Sequence, residues 1–278
     1  MKFLKASGVS LLFFLMLVSL AQAVQIGPTP TSTGLNTNGS FTVGTATALA
    51  SGFGGGTIYY PVSTAQKYGV IVVCPGYTGT SSSISWFARR LATHGFVTLA
   101  MNTYTIYDQP ASRATQMASA LRYMVNSSSV RSRINSSYQG VAGHSMGGGG
   151  TLIACKNNSS LKVGIPMTPW AMGVSFSSVR VPQMIFGADG DTIAPYAVHA
   201  LPFYNAIPSS TPKAFGLLLA ATHFTPNFTD QRIGRYGVAF AKRFMYDDER
   251  YQSFLCGTYH TAYKTGKFTS YSSNCSVY

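Results

Sequence analysis

Short apolar runs separated by stretches with helical spacing set the organisation of this chain. Residues 68–74 (YGVIVVC) are apolar almost throughout, the pattern of a strand covered on both faces. Residues 96–101, 163–167, 182–186 and 213–219 repeat that pattern, and residues 41–43 and 57–61 read as antiparallel strands that open a sheet. Between these runs, residues 86–95 (with Ser85 as a cap), 111–124 and 236–244 read as helices. Strands that alternate with helices predict an α/β fold with a mostly parallel central sheet flanked by helices. Residues 24–40, rich in Pro, Thr, Asn and Gly, read as a loosely attached lead-in. No internal repeat or linker divides the chain.

The N-terminus carries a different signal. Lys2 and Lys5 precede a short apolar core at residues 9–20, followed by Ala21-Gln22-Ala23. This is the order of a secretory leader with an A-x-A cleavage site. Residues 1–23 are therefore expected to be a signal peptide, and residues 24–278 one catalytic domain of a secreted protein. The apolar core is too short for a comfortable bilayer crossing, so no membrane span is expected.

Twenty basic residues against seven acidic ones give a formal charge of +13. The basic residues are scattered, as at Arg89/Arg90, Arg131/Arg133 and Lys242/Arg243, rather than gathered into a patch. A solvated basic surface is the reading, and no nucleic-acid partner is expected. Attraction to surfaces that accumulate carboxylates is the sharper alternative. Of four cysteines, Cys256 and Cys275 bracket a polar C-terminal segment that a bridge between them would staple down. Cys74 and Cys155 lie in apolar surroundings and read as buried thiols, with a bridge between those two as the alternative. No Cys/His spacing resembles a metal site.

Gly143-His144-Ser145-Met146-Gly147 is the stretch with the most chemistry in it. A strand pattern precedes it and a helix pattern follows, which is the context of a G-x-S-x-G nucleophile elbow. A serine in so sharp a turn needs residues without side chains two positions away on each side. Its hydroxyl then projects at a helix N-terminus, where negative charge is favoured.

A serine nucleophile needs a base and an orienting acid, which follow it in the order acid, then histidine. Asp108 precedes Ser145, while Asp230, Asp247, Asp248 and Glu249 follow His223. Asp189 and Asp191 remain, both in the loop after residues 182–186, and pattern does not choose between them. His94 and His144 precede the serine, His199 lies in a helical stretch and His260 in the tail, so His223 is the best base by position. The oxyanion hole is expected to use the Met146 N–H, with Tyr77 in the loop after residues 68–74 as second donor. Tyr77, Trp170 and Phe224 suggest a shallow apolar cleft able to accept a polymer by flat contact.

Together with Pro75-Gly76-Tyr77-Thr78, Asp108-Gln109-Pro110, Thr168-Pro169-Trp170 and Asp191-Thr192-Ile193-Ala194-Pro195, the extended run Gly143 to Gly150 resembles the bacterial cutinase-like polyester hydrolases. These include poly(ethylene terephthalate) hydrolases and have the α/β-hydrolase fold without a lid domain. The resemblance implies Ser145 as nucleophile, His223 as base and Asp191 as acid, with Tyr77 and Met146 as oxyanion donors. It further implies Tyr77, Thr78, His144, Trp170, Ile193 and Phe224 as substrate-binding residues, and a Cys256–Cys275 bridge. Ala188 and Thr225 stand where the mesophilic poly(ethylene terephthalate) hydrolases carry a second disulfide, and His144 and Phe224 are as in ordinary cutinases. The expected protein is a monomeric serine esterase that needs no cofactor or metal and acts on polymeric or small esters. A lidless triacylglycerol lipase or general carboxylesterase is the alternative, and a catalytically silent binding module the more distant one.

Overall fold

The computed structural model describes residues 23–49 and 51–278. The leader lies outside the described residues apart from Ala23. Nine strands among the described residues form one sheet: β1 Val43–Ala48, β2 Gly56–Pro61, β3 Tyr68–Cys74, β4 Val97–Met101, β5 Ile134–His144, β6 Val163–Met167, β7 Gln183–Ala188, β8 Lys213–Leu218 and β9 Phe268–Ser273. Their spatial order is β1-β2-β4-β3-β5-β6-β7-β8-β9. The six strands from β4 to β8 run parallel, and antiparallel strands close both edges.

Burial explains why these segments are strands. Every residue of β3, β4, β6, β7 and β8 is buried, as continuous apolar runs between two helical layers must be. The helices are α1 Ser32–Asn36, α2 Ser85–Thr93, α3 Pro110–Asn126, α4 Met146–Asn157, α5 Ala200–Ala206, α6 Gln231–Met245, α7 Gln252–Leu255 and α8 Thr258–Lys264. Pro110 opens α3, where its missing N–H costs nothing. Asp230 caps α6 by accepting from the Arg232 and Ile233 N–H groups. Ser85 does not cap α2; its hydroxyl donates to the Ser82 carbonyl instead. No helix among the described residues is long and apolar enough to cross a membrane.

Register sets where the loops leave. Cys74 pairs with Gly143, His144 with Met167, Met167 with Phe186, and Ala188 with Leu218. The loops after β3, β5, β6, β7 and β8 therefore emerge at one carboxyl edge, and they carry Tyr77, Ser145, Trp170, Asp191 and His223 respectively.

Two segments differ from the sequence expectation. The lead-in is pinned, not loose. Ile26 and Leu35 are buried, and the carbonyls of Ile26, Ser32 and Leu35 accept from Lys242, Arg235 and Arg90. The tail, beyond being joined by the Cys256–Cys275 disulfide, contributes β9. Cys74 and Cys155 are buried free thiols, which removes the alternative of a bridge between them.

The pinning reveals how the basic excess is used. Arg113, Arg235 and Lys242 are fully inaccessible to solvent, and each donates to backbone carbonyls. Lys213 does likewise, its ammonium binding the Tyr204 and Ile207 carbonyls at the end of α5. With so few carboxylates, the chain satisfies buried cations with peptide oxygens.

Candidate active site

The turn between β5 and α4 holds Ser145 at φ 55°, ψ −118°, a left-handed conformation that a residue with a side chain rarely adopts. The flanking glycines are sterically required. A Cβ on Gly143 would lie 2.3 Å from the Gly147 carbonyl oxygen, and one on Gly147 would lie 2.4 Å from the Cys74 and Pro75 carbonyl oxygens. The strain is held by backbone bonds on both sides, from Ser145 N–H to the Met167 carbonyl and from Trp170 N–H to the Ser145 carbonyl.

His223 Nε2 lies 2.8 Å from Ser145 Oγ, and its Nδ1 lies 2.8 Å from Asp191 Oδ2. A carboxylate can only accept, so the ring proton sits on Nδ1 and Nε2 is left to accept from the serine hydroxyl. All three residues are buried. The other Asp191 oxygen accepts from the Ile193 and Ala194 N–H groups at 2.9 and 2.7 Å. Burial works to raise the Asp191 carboxyl, but the His223 bond and these two amides outweigh it and hold it below its ordinary value.

The two aspartates differ in what they face: Asp191 bonds the His223 ring and Asp189 does not. Asp189 points away from the histidine ring. Its oxygens accept from the Ala220 and Ala221 N–H groups and from Thr269 Oγ1, tying the loop that carries His223 to β9.

Met146 opens α4, so its N–H is among those a helix leaves unpaired. Tyr77 lies in the loop that crosses the elbow, where a Cβ on Gly76 would stand 2.9 Å from Ser145 Cβ. Neither the Tyr77 nor the Met146 N–H makes a hydrogen bond among the described residues. Beside them is an open cleft of about 310 Å³ lined by Gly76, Tyr77, Thr78, Gly79, Thr80, Ser82, Ser83, His144, Phe224 and Asn227; of the expected substrate-binding residues, Trp170 and Ile193 are not among its walls. Tyr77, Ile193 and Phe224 are each about half exposed (49%, 51% and 51%), and Trp170 is partly buried against His199. Asn227 went unnoticed in the sequence because nothing in a Thr-Pro-Asn turn announces a cleft wall. No cluster of metal-ligating side chains is found among the described residues.

A model of PET hydrolase-like proteins matches residues 18–276. The chain belongs to that family. Proteins similar to it include cutinase 1 of Thermobifida cellulosilytica, 51% identical over 243 residues, 85% of this chain and 92% of that protein. A cutinase of Thermobifida fusca is 52% identical over 242 residues, 85% of this chain and 80% of the relative. A bis(hydroxyethyl) terephthalate hydrolase of Streptomyces coelicolor is 49% identical over 235 residues, 83% of this chain and 76% of the relative. Membership in the PET hydrolase-like family agrees with the α/β-hydrolase fold expected from the elbow, and with the resemblance drawn from the extended glycine run.

Proposed function

We propose that this chain is an exported serine esterase that cleaves polyesters and short-chain esters through an acyl-enzyme on Ser145. One observation carries the reading. The His223 ring bridges Ser145 and Asp191, with 2.8 Å contacts on both sides, beside an open cleft walled by the half-exposed rings of Tyr77 and Phe224 and by hydroxyl groups.

Ser145 Oγ attacks the ester carbonyl carbon while its proton moves to His223 Nε2. Asp191 holds the imidazole in the tautomer needed and stabilises the imidazolium. The carbonyl oxygen becomes an oxyanion, received by the Tyr77 and Met146 N–H groups. Collapse of the tetrahedral species breaks the ester C–O bond, and the departing alcohol takes the His223 proton. Water, deprotonated by His223, then attacks the acyl-enzyme, releasing the carboxylic acid and restoring Ser145.

The substrate class follows from the cleft. A polymer lies across an open groove without threading a tunnel. Tyr77, His144 and Phe224 offer it aromatic contact and Thr78 a polar one within the cleft, and Trp170 and Ile193 are the further residues proposed to meet it beyond those walls. Relatives named as cutinases and as a bis(hydroxyethyl) terephthalate hydrolase support both aliphatic and aromatic esters as substrates. Export is supported by the leader pattern of residues 1–23 and by a disulfide, a bond at home in oxidising compartments.

Replacing Ser145 with Ala is expected to lower turnover of a short-chain ester by about 10⁴-fold or more with the circular dichroism spectrum unchanged. Retained turnover would overturn the assignment. Product analysis on cutin, an aliphatic polyester film, a poly(ethylene terephthalate) film and a long-chain triacylglycerol then fixes the substrate. Soluble acid and alcohol fragments are expected from the films; release from the triacylglycerol alone would make the protein a lipase.

A further inference from the structure

Arg113, in the first turns of α3, is one of the largest fully buried side chains of the molecule. A buried guanidinium ordinarily pairs with a carboxylate. This one does not. Its Nε donates to the Asp108 carbonyl at 2.7 Å, its Nη1 to the Pro75 carbonyl at 3.0 Å and its Nη2 to the Ile106 carbonyl at 3.0 Å. The nearby Asp108 carboxylate is occupied elsewhere, by Thr105 N–H, Thr105 Oγ1 and Gln116 Nε2.

The three carbonyls belong to two loops at the carboxyl edge of the sheet. Pro75 follows β3; Ile106 and Asp108 follow β4. The Ile106 carbonyl also accepts from the Thr78 N–H at 2.8 Å. The loop after β3 is thereby fastened on either side of Tyr77, at Pro75 directly and at Thr78 through Ile106.

That loop needs fastening. Gly76 stands between Pro75 and Tyr77, and a side chain there would meet His144 Nδ1 at 2.8 Å and Ser145 Cβ at 2.9 Å. Close approach to the elbow demands glycine, yet glycine is the residue least able to fix the direction of the next peptide group. Thr78 is itself held at φ 58°. A turn within the loop, Gly79 N–H to the Gly76 carbonyl at 3.1 Å, with Thr78 Oγ1 donating to the Tyr77 carbonyl at 2.6 Å, orients the Gly76–Tyr77 peptide relative to the loop. Where that turn sits against Ser145 is set from outside, by the bonds at Pro75 and Thr78.

We propose that Arg113 is a positioning residue for ester hydrolysis, holding the Pro75 and Ile106 carbonyls so that the Tyr77 N–H stays aimed at the oxyanion. The proposal rests on the serine-esterase reading and on Tyr77 as an oxyanion donor. It explains why the side chain is arginine. Only a planar fork with several fixed donors reaches three carbonyls in two loops, and an ammonium is a single point.

The test compares Arg113→Lys and Arg113→Met with the wild type on a soluble ester, together with inhibition by a phenylboronic acid, which becomes tetrahedral on the serine. For Arg113→Lys, kcat is expected to fall about 10- to 100-fold with KM within about threefold, since loss or misaiming of one oxyanion donor costs about that or more. Boronate affinity should weaken by the same factor as kcat/KM. A structural role alone would change melting temperature and leave the ratio of boronate to substrate affinity untouched, and that result would overturn the proposal. Should Arg113→Met not fold, Arg113→Lys decides alone. The wild type supplies a check that needs no variant: the Tyr77 amide order parameter should be near the rigid-backbone value of about 0.85 without ligand, and a value below about 0.6 would also overturn it. An active Ser145→Ala protein defeats the serine-esterase reading itself. An inactive one beside an unaffected Arg113→Lys defeats only this inference.

Discussion

His144 Nε2 donates a 2.8 Å hydrogen bond to the backbone carbonyl of His223. The residue just before the elbow serine thus grips the main chain of the residue that faces it. A carbonyl can only accept, so Nε2 carries the proton. Burial, reinforced by the nearby His223, pushes the His144 imidazole down to about 3, and it stays neutral in its task. Thr168 Oγ1 donates to the same carbonyl at 3.2 Å. Two donors, one at the end of β5 and one just after β6, fix the backbone on which the His223 ring is mounted.

Replacing His144 with Phe keeps a ring in the cleft wall and removes one of these donors. We expect kcat on a soluble ester to fall about fivefold, the worth of roughly 1 kcal/mol of net hydrogen bonding. His144→Gln, which restores an N–H donor, should recover part of the loss. Equal kinetics for the Phe and Gln variants would show that the donor plays no part.

The same burial makes stability depend on pH. His94 and His144 are held at about 3 and His260, beneath the tail and bonded to Tyr236, at about 4, mainly by burial. The unfolded chain binds these protons near 6.5 and the folded chain does not. Their contribution is therefore full above about 6.5 and is lost as pH falls toward the folded values. Asp108, Asp189 and Asp191 are all held below 3.8 and add to the loss only in stronger acid. Burial pushes Lys242 down to about 7, so stability already declines as pH falls from 10.5 toward 7. Melting temperature should go on falling from about pH 6.5 to 4, the window in which unfolded histidine gains its proton. A level profile across that interval would contradict the assignment of these three histidines as held neutral.

Asp189 and Asp191 are two residues apart, yet they should respond differently to the same change. Asp191→Asn loses the carboxylate that sets the His223 tautomer and should lower kcat by about 10⁴-fold. Asp189→Asn turns an amide donor toward N–H groups that need an acceptor. It should lower the melting temperature by several degrees, the effect of about 1–3 kcal/mol, while leaving kcat within about tenfold. Steady-state kinetics and thermal melts on both variants separate the roles, and the reverse pattern would exchange them.

The contrast between these aspartates also marks where sequence reasoning stops. Gly143 and Gly147 were legible because the elbow's steric demand falls on residue type, and the buried strands because burial on both faces demands unbroken apolar runs. Asp189 and Asp191 are chemically identical groups in one loop, so only the direction of each side chain separates them. β9 was missed because it is a half-exposed edge strand of mostly Ser and Thr, held by main-chain pairing to β8 and by Phe268 and Tyr271 packing inward. The pinned lead-in was missed for a related reason. Its partners Arg90, Arg235 and Lys242 grip carbonyl oxygens, which every residue possesses.

Arg235 offers the clearest test of that pinning. It is fully buried on α6, donates through Nη1 to the Ser32 carbonyl and Asn36 Oδ1, and lies 4.2 Å over the Tyr263 ring. It therefore joins the lead-in, α6 and the tail in one contact. Arg235→Met keeps much of the apolar volume and removes the donors, leaving the Ser32 carbonyl with one partner fewer. Hydrogen bonds from a charged group contribute about 1.5–3 kcal/mol each, so a fall in melting temperature of several degrees is expected. None of these contacts reaches the cleft, so turnover of a soluble ester at 25 °C should stay within about twofold of wild type. Limited proteolysis should cut the variant between residues 24 and 40 well before the wild type, because freeing the carbonyls frees the segment. If the variant instead melts and resists protease like the wild type, the buried cations are passengers in the core, and hydrophobic anchoring by Ile26 and Leu35 alone holds the segment down.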